Sequence, residues 1–376
     1  MNRNTDPTHV YFNVRIQNGD PNGSDKVCEY REQRTVPLVD NPSEYYFSCI
    51  RFNIPTSHIP LLIVPIQPFP NTDVHKTIYS VALSYGGYTA QQYVMWSPNE
   101  ASLKKSNIIS PRLPLTSMNP YVNANDSYFY CRSYVHMMNL VNKALTDAFN
   151  DLFAHTTLPV GTQAPFFTYE PATKLFTLHA QEAMYDVNNS SPIDIYFNND
   201  LFTLFGAFNH IKINNSSNEM DNKILVTAFP DNSNVDSSGT ILFTQEYSTV
   251  VSWIGFQSIV ITSGTIPIES EGIPSALPYF SNSNLQNTGQ PTFLNIVSDF
   301  DALLDVGAQD FQTSMQYAPS GEYRLIDMKG TQPLTSFDIQ AMWTDAFGGL
   351  HPIMIGPNES ASFKFIFRKK SFNHSF

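Results

Sequence analysis

Four aspartates in the segment SDFDALLDVGAQD are the residues best placed to do chemistry: Asp299, Asp301, Asp305 and Asp310. Carboxylates at this density could bind calcium, and a pair such as Asp299 and Asp301 could serve as the acid and base of a glycosidase. Leu303 and Leu304, however, occupy positions at which an EF-hand loop needs oxygen ligands. The pattern therefore favours a solvated loop or the start of a short helix over a calcium site.

The chain contains no other arrangement typical of an enzyme. Ser57 directly precedes His58, but adjacent side chains rarely face each other, and there is no G-x-S-x-G nucleophile elbow. The nine histidines show no metal-ligand spacing, and no glycine-rich phosphate loop occurs. Cys28, Cys49 and Cys131 are far apart, so they imply neither a disulfide framework nor a zinc cage. We expect no enzymatic activity, no cofactor and no metal.

A basic cluster, Arg368, Lys369 and Lys370, follows an apolar run near residue 367. These cations could contact nucleic acid or an acidic partner, with an attraction that weakens in salt. The alternative is a charged strand edge that discourages aggregation. The net charge of −12 argues against broad nucleic-acid binding, so any such contact must be local.

The composition is unusual in its charge and aromatic content. Charged residues make up 14% of the chain and aromatic residues 13%, whereas charged residues typically make up about 25% of a soluble protein. Protein interfaces are depleted in charge and enriched in aromatic residues, so this composition suits faces that are buried against neighbouring subunits. An all-β sandwich with long polar loops has the same composition, and the numbers do not separate the two.

The segment YYFSCIRFNIPTSHIPLLIVPI, from Tyr45 to Ile66, is apolar enough to suggest a membrane span. A span needs about 20 unbroken apolar residues, and prolines 55, 60 and 65 interrupt this one. We therefore predict no membrane span but two strands, Tyr45 to Asn53 and Leu61 to Ile66, joined by a turn.

Most of the remaining chain also has the residue pattern of strands. Runs of β-branched and aromatic residues between turn formers predict strands at Val10 to Ile16, Ile78 to Tyr85, Gln92 to Trp96, Ile224 to Phe229, Ile241 to Tyr247, within Tyr247 to Ile268, Phe337 to Trp343 and Phe363 to Phe367. Short strands separated by glycine and proline turns indicate a sandwich or barrel.

The middle of the chain differs from its ends. Apolar residues at helical spacing predict one long amphipathic helix over residues 133–154. A hairpin is predicted next, from Pro165 to Tyr169 and from Leu175 to Leu178. The run IYFNNDLFTLFG then predicts a strand ending near Asn198 and a short helix that stops at Gly206. The sequence thus indicates a mainly β protein with a first β part at residues 1–100, an inserted α+β domain at 101–240 and a second β part at 241–376.

Five segments in this order resemble one protein family. The segments are EYYFSCIRFNIPTSHIPLLIVPI, SYVHMMNLVNKALTDAF, APFFTYEPATKLFTL, IYFNNDLFTLFGAF and SASFKFIFRKK. Together they are similar to the penton, or minor capsid, proteins of virophages, most of all to the Sputnik type, over nearly the whole chain. The resemblance implies a single jelly-roll β-sandwich, in which eight strands form two sheets, with an inserted domain.

The resemblance also implies the protein's role and its partners. Five copies would close each vertex of an icosahedral shell, beside a major capsid protein of double jelly-roll type, in a virion assembled in the host cytoplasm. The alternative function is a carbohydrate-binding or glycan-processing β-sandwich, which the many aromatic residues and the aspartates near Asp299 leave open.

Overall fold

The computed structural model describes residues 8–19, 23–67, 73, 75–97, 128–213, 220–253, 256–273, 292–301, 314–317, 324–345 and 350–370. Contacts between residues divide the chain into two compact units. Unit 1 is built from the described residues within 1–60 and 255–376, and unit 2 from those within 61–254. The chain therefore leaves unit 1, completes unit 2 and then returns.

The helices and strands fall into three consecutive blocks along the chain. Unit 1 begins with β1 His9–Gln17, β2 Lys26–Val27, β3 Glu29–Gln33 and β4 Tyr45–Pro55. Unit 2 contains β5 Leu62–Pro65, β6 Lys76–Tyr85, β7 Tyr88–Met95, β8 Tyr128–Cys131, α1 Tyr134–His155, β9 Phe166–Glu170, β10 Leu175–Gln181, α2 Glu182–Tyr185, β11 Asp194–Phe197, α3 Asn199–Leu204, β12 His210–Lys212, β13 Asn222–Ile224 and β14 Thr240–Thr244. Unit 1 resumes with β15 Phe256–Thr262, β16 Glu271–Ile273, β17 Thr292–Leu294, β18 Ile296–Asp301, β19 Ser314–Tyr317, β20 Ile326–Asp327, β21 Ser336–Asp345, β22 Leu350–Pro352, β23 Met354–Ile355 and β24 Ser360–Lys369.

Two five-stranded antiparallel sheets form most of unit 1, beside the short strand pairs β2–β23 and β16–β17. In the first sheet β24 lies between β1 and β4, and β19 and β20 pair with different parts of the far edge of β4. In the second sheet β21 pairs with β15, which pairs with β18, while β3 and β22 pair with different parts of the other edge of β21. The residues SASFKFIFRK give β24 one apolar face and one face that is polar except for the buried Ile366, which suits a sheet that is buried mainly on one side.

Aromatic rings from both sheets form the core of unit 1. Phe337 of the second sheet lies with its ring centroid 4.6 Å from that of Phe12 and 5.4 Å from that of Phe365, both in the first sheet. Phe52 and Phe300 join the two sheets in the same way, with centroids 4.6 Å apart. Edge-to-face pairs of this kind add stabilisation beyond the apolar area that they bury.

Unit 2 combines a five-stranded sheet, in the order β12-β13-β11-β6-β7, with a three-stranded sheet in the order β14-β10-β9. Helix α1 packs against β6, β7 and β9. The backbone amide of His136 donates to the Ser133 hydroxyl (3.3 Å), which caps the start of this helix. Phe176, Phe205 and Trp253 are buried together, with ring centroids 4.7 to 5.4 Å apart.

Several predictions of local structure are confirmed. The helix predicted over residues 133–154 is α1, and the predicted hairpin is β9 with β10. Asn198 caps α3 by accepting from the amide of Leu201 (3.0 Å), as the pattern of strand, cap and short helix predicted. The mainly β class is also confirmed, because strands dominate both units.

The stretch from Tyr45 to Ile66 forms the two predicted strands, but they lie in different units. β4 pairs with β24 in unit 1, whereas β5 pairs with β8 in unit 2. The predicted boundaries near residues 100 and 240 differ from the division near 60 and 254. The reason is that β6 and β7 pair with each other and β6 pairs with β11, so they bury their apolar faces within unit 2.

The strand predicted from Ile224 to Phe229 is wrong beyond its first residue, since β13 ends at Ile224. The backbone amides that follow are bound to loops and side chains. The Ala228 amide donates to Asp186 (3.2 Å) and the Phe229 amide to Asn234 (2.7 Å). β14 ends at Thr244, before the predicted Tyr247, and a 3₁₀ turn at Val250–Trp253 interrupts the predicted run that follows.

Replacing Phe337 with alanine tests the core of unit 1. We expect Phe337→Ala to lower the free energy of unfolding by about 3–5 kcal/mol, because the cavity would lie between two sheets that cannot collapse onto it. Urea denaturation followed by tryptophan fluorescence measures the change. Val36, which is 68% exposed, provides the control: Val36→Ala should alter stability by no more than about 0.5 kcal/mol. Equal losses in the two variants would contradict this description of the core.

Asp338 ties the end of β15 to β21. Its Oδ1 accepts hydrogen bonds from the hydroxyl of Ser263 (2.8 Å), the amide of Gly264 (2.9 Å) and both the amide (2.9 Å) and hydroxyl (2.8 Å) of Thr265. Burial raises the pKa of Asp338, but the hydrogen bonds from Thr265, Ser263 and Gly264 outweigh it and hold the pKa below its usual range. The ionised form therefore stabilises the fold above the unfolded-state pKa of about 3.9, and this stabilisation is lost as the pH falls through the folded-state value.

The variant Asp338→Asn should be less stable than the wild type by about 1–3 kcal/mol at neutral pH, because it loses charge-assisted hydrogen bonds. The difference should narrow as the pH falls below about 4, because the unfolded wild-type chain then binds a proton at Asp338, and it should disappear once the folded-state carboxyl is neutral as well. Urea denaturation across this pH range measures both effects. Asp40→Asn, at an exposed carboxylate, is the control and should show neither. A difference that stays constant with pH would rule out the charged carboxylate as the cause.

Candidate functional site

The predicted basic cluster lies at the end of β24, and the structure gives its three residues different environments. Lys369 forms an ion pair with Glu44 (3.3 Å). Lys370 forms one with Asp327 (3.0 Å) and donates to the carbonyl of Ser43 (2.8 Å). Arg368 is exposed. Two of the three cations therefore bind within unit 1, and only Arg368 is directed to solvent.

Arg368 belongs to a larger group of cations on the outer face of the first sheet. Three neighbouring strands contribute to it: Arg15 on β1, Arg51 on β4, and Lys364 and Arg368 on β24. Lys364 aligns with Asn13 on one side and with Arg51 on the other. The burial of β1 and β24 alternates so that the phenylalanines point inward and these cations outward. We call Arg15, Arg51, Lys364 and Arg368 the basic face.

No acidic side chain among the described residues pairs with the cations of the basic face. None of its four residues forms an ion pair within the part of the chain that the structure describes. Lys364 Nζ lies 4.8 Å from the ring centroid of Tyr11, whose side chain is 54% exposed. Adjacent strands are only about 4.8 Å apart, and like charges on them are unfavourable. An anionic surface placed against this face would relieve that repulsion.

The aspartates of the candidate calcium or glycosidase site have a structural partner. The guanidinium of Arg324 binds both Asp299 and Glu271, which ties β18 to β16. Asp301 ends β18, and its side chain lies outside the described part, as do Asp305 and Asp310. Among the described residues, no group of three His, Cys, Asp or Glu side chains could hold a metal. Because Asp299 already binds a cation, its carboxylate is poorly placed to act as a calcium ligand or as a catalytic base.

Ser57 and His58 share a carboxylate. His58 lies between Asp25 (3.6 Å) and Glu359 (3.7 Å), and the Ser57 hydroxyl donates to Glu359 (2.9 Å). The amide of Gly356 also donates to Glu359 (2.7 Å), and a Cβ atom there would lie 2.9 Å from a carboxylate oxygen. The cluster therefore links three segments of unit 1 that are distant in sequence. Sequence reasoning missed it because the two carboxylates come from residues 25 and 359.

The three cysteines are free and buried. Burial raises the pKa of the Cys28 and Cys49 thiols to about 12 and that of Cys131 to about 11. The thiols therefore remain protonated near neutral pH, whereas the thiolate is the reactive form.

Among the described residues, no helix combines the length and the apolarity needed to cross a membrane.

Comparison with solved structures identifies the fold. The chain matches a protein in the 3.5 Å cryo-EM structure of the Sputnik virophage with 36% sequence identity and a TM-score of 0.81, over 97% of this chain and 99% of that one. It also matches the crystal structure of the mavirus penton protein with a TM-score of 0.62, over 96% of this chain and 99% of that one. The identity to the mavirus protein is 15%, so that similarity shows the fold alone.

Comparison of sequences gives the same result. Structural protein V19 of Sputnik virophage is 33% identical over 213 residues, which cover 54% of this chain and 94% of V19. The uncharacterized protein V18 of the same virophage is 41% identical over 166 residues, which cover 43% of this chain and 92% of V18. A family model described as Sputnik minor capsid protein V18/19 matches residues 10–369.

These matches, together with a mainly β fold, define a structural protein of a virus capsid. Within that class, the chain belongs to the Sputnik minor capsid protein V18/19 family. It is a minor capsid protein and a component of the virion. The family predicted from five sequence segments is confirmed.

Calcium provides a direct test of the pairing between Arg324 and Asp299. We expect millimolar calcium to leave the melting temperature unchanged, because the carboxylate is already bound to a guanidinium. A calcium ion that bound the folded protein and was present at a hundred times its Kd would instead increase the free energy of unfolding by about 2.7 kcal/mol. The melting temperature would then rise by several degrees. Differential scanning calorimetry with calcium, with magnesium as a control and with a chelator measures this. A rise specific to calcium that disappears in Asp299→Asn would contradict the pairing.

Proposed function

We propose that this chain forms homopentameric pentons at the five-fold vertices of an icosahedral capsid, and that unit 1 is a single jelly roll. The strand order of unit 1 carries the proposal. Counted along the chain, the eight main strands are β1, β3, β4, β15, β18, β19, β21 and β24. The first, eighth, third and sixth strands are neighbours in one sheet, and the second, seventh, fourth and fifth are neighbours in the other. This interleaved order is the one that supports a jelly roll with two Greek keys.

In this proposal, unit 2 is the inserted α+β domain. It occupies the connection between β4 and β15, the third and fourth strands of the jelly roll. The insert then spans residues 61–254, and the jelly roll comprises the parts within 1–60 and 255–376. An insertion of this length is tolerated because the cost of closing a loop grows slowly with its length.

The similarity to the mavirus penton protein supports a place at the vertex, since the shared fold extends over nearly the whole of both chains. A five-fold ring is a heterologous assembly, in which each copy offers one surface to the copy before it and a different surface to the copy after it. The basic face suits such a ring. Its four cations form no ion pair among the described residues, so in a chain of net charge −12 they can attract an acidic surface of a neighbouring copy.

We assign the basic face to the neighbouring subunit rather than to the genome. Lys369 and Lys370 are already paired, so the C-terminal cluster offers Arg368 alone to a nucleic acid. Binding to phosphates requires many cations, and the net negative charge of the chain opposes it. The other partner in the proposal is a major capsid protein of double jelly-roll type, in a particle assembled in the host cytoplasm.

Assembly of the purified chain tests the proposal. We expect light scattering after gel filtration to give the mass of a pentamer at low salt, and negative-stain electron microscopy to show five-fold rings, with the major capsid protein added if the chain alone does not close them. Rising salt should weaken the ring because it screens the charges. A chain that stays monomeric at high concentration and forms no ring with its capsid partner would refute the penton role.

A pair of charge variants tests the interface separately. Arg51→Gln combined with Lys364→Gln should weaken pentamer formation by about tenfold, which corresponds to about 1.4 kcal/mol. Lys143→Gln combined with Lys212→Gln removes the same charge from unit 2 and should leave assembly unchanged. If both double variants assemble like the wild type, the basic face is not the subunit contact, although the pentamer itself would stand.

A further inference from the structure

Unit 2 contains a cavity of about 560 Å³. Loop residues 227–230, 233 and 234 form one wall, β14 forms another, and the lining includes Asn209, Phe229, Leu242, Phe243 and Glu246. This volume lies within the range of about 300–1,000 Å³ that is typical of small-molecule sites. The loop wall coincides with the run in which an apolar strand was predicted and did not form.

The loop wall is held in place by buried polar groups. Asn234 is buried, accepts from the amide of Phe229 (2.7 Å) and donates to the carbonyl of Thr227 (3.0 Å). The Asn232 amide donates to the carbonyl of Phe229 (2.8 Å), and Asn232 has a φ of 54°, in the left-handed region. Asp186 accepts from the amide of Ala228 (3.2 Å). These bonds fix the loop before any ligand arrives, which lowers the ordering cost of binding.

Two phenyl rings contribute to the apolar part of the cavity, together with Ala228, Pro230 and Leu242. Phe229 is 50% exposed, which is high for a phenylalanine on a rigid loop. Phe243 stacks on the buried Phe208, with ring centroids 5.5 Å apart and an interplanar angle of 28°. The backbone of Phe229 and the ring of Phe243 are therefore positioned in advance. Such rings suit a ligand that has one flat apolar face.

The polar part of the cavity includes the Asn209 amide and the Glu246 carboxylate, beside Thr227, Ser233, Asn234 and Thr244. The side chains of Asn209 and Glu246 are exposed, and neither has a hydrogen-bond partner among the described residues. An amide both donates and accepts, and a carboxylate accepts several hydrogen bonds. In the described lining there is no lysine, arginine or histidine. The single charge is negative, which disfavours phosphate, sulfate and other anionic ligands.

We propose that this cavity binds a neutral pyranose of a glycan. A pyranose ring has an apolar face for Phe229 and Phe243 and hydroxyl groups for Glu246 and Asn209. The site goes beyond the assembly role and does not depend on pentamer formation. A capsid component with such a site would hold the particle to a glycosylated surface through many weak contacts acting together.

Glycan binding by the full-length chain tests the proposal. The first probe is an array of neutral, sialylated and sulfated glycans, and the second is saturation-transfer NMR with methyl glycosides of glucose, galactose, mannose and N-acetylglucosamine. We expect binding to neutral glycans and a saturation transfer that is strongest at the apolar face of the sugar. Binding to no glycan, or to sialylated or sulfated glycans alone, would overturn the proposal.

Variants then locate the site. Phe229→Ala and Glu246→Gln should each weaken binding to the best array glycan by about tenfold, which corresponds to about 1.4 kcal/mol. Phe153→Ala is the matched control, because Phe153 is 57% exposed in unit 2 and lies outside the cavity lining. All three variants should keep the wild-type melting temperature, since each change is at an exposed side chain. If binding survives in both cavity variants, or falls equally in the control, the cavity is not the glycan site.

Discussion

The pairing of β24 with two strands from the start of the chain is the interaction on which unit 1 depends. β24 bonds to β1 along its whole length and to β4 on its other edge. Its inward residues Phe363, Phe365 and Phe367 build one side of the aromatic core, and its outward residues Lys364 and Arg368 build half of the basic face. A single alternating strand thus provides both the stability of the sandwich and the charged surface that we assign to assembly.

The same constraint explains how one chain accommodates two units. Because β24 holds β1 and β4 together, the connection after β4 is free to be long, and unit 2 fills it. The strands of unit 2 find their pairing partners within the unit, since β6 pairs with β7 and β11. The apolar side of α1 packs on β6 and β7. Pro55 and Pro60 lie where the chain leaves unit 1, and proline is well suited to end strand pairing.

Structure that depends on local periodicity could be predicted from the sequence. The helix α1, the hairpin β9–β10 and the strand β24 each follow from the spacing of apolar residues within a short window. The basic face could not be predicted, because it needs the register of three strands from opposite ends of the chain. Nor could the loop after Ile224, whose apolar run looks like a strand until Asn234 and Asp186 bind its amides. Departures of this kind concentrate at functional sites, and in this protein the departure forms the cavity of unit 2.

The position of β24 also determines when the protein becomes competent to assemble. Roughly 300 residues separate β4 from its partner, so during synthesis the apolar side of β4 waits on the order of tens of seconds for β24 to emerge. The residues of unit 2 all precede residue 255, so they are synthesised before β24. A nascent or truncated chain that lacks β24 therefore has neither a closed sandwich nor a complete basic face. In the assembly that we propose, completion of β24 would act as a checkpoint that keeps partial chains out of the growing shell.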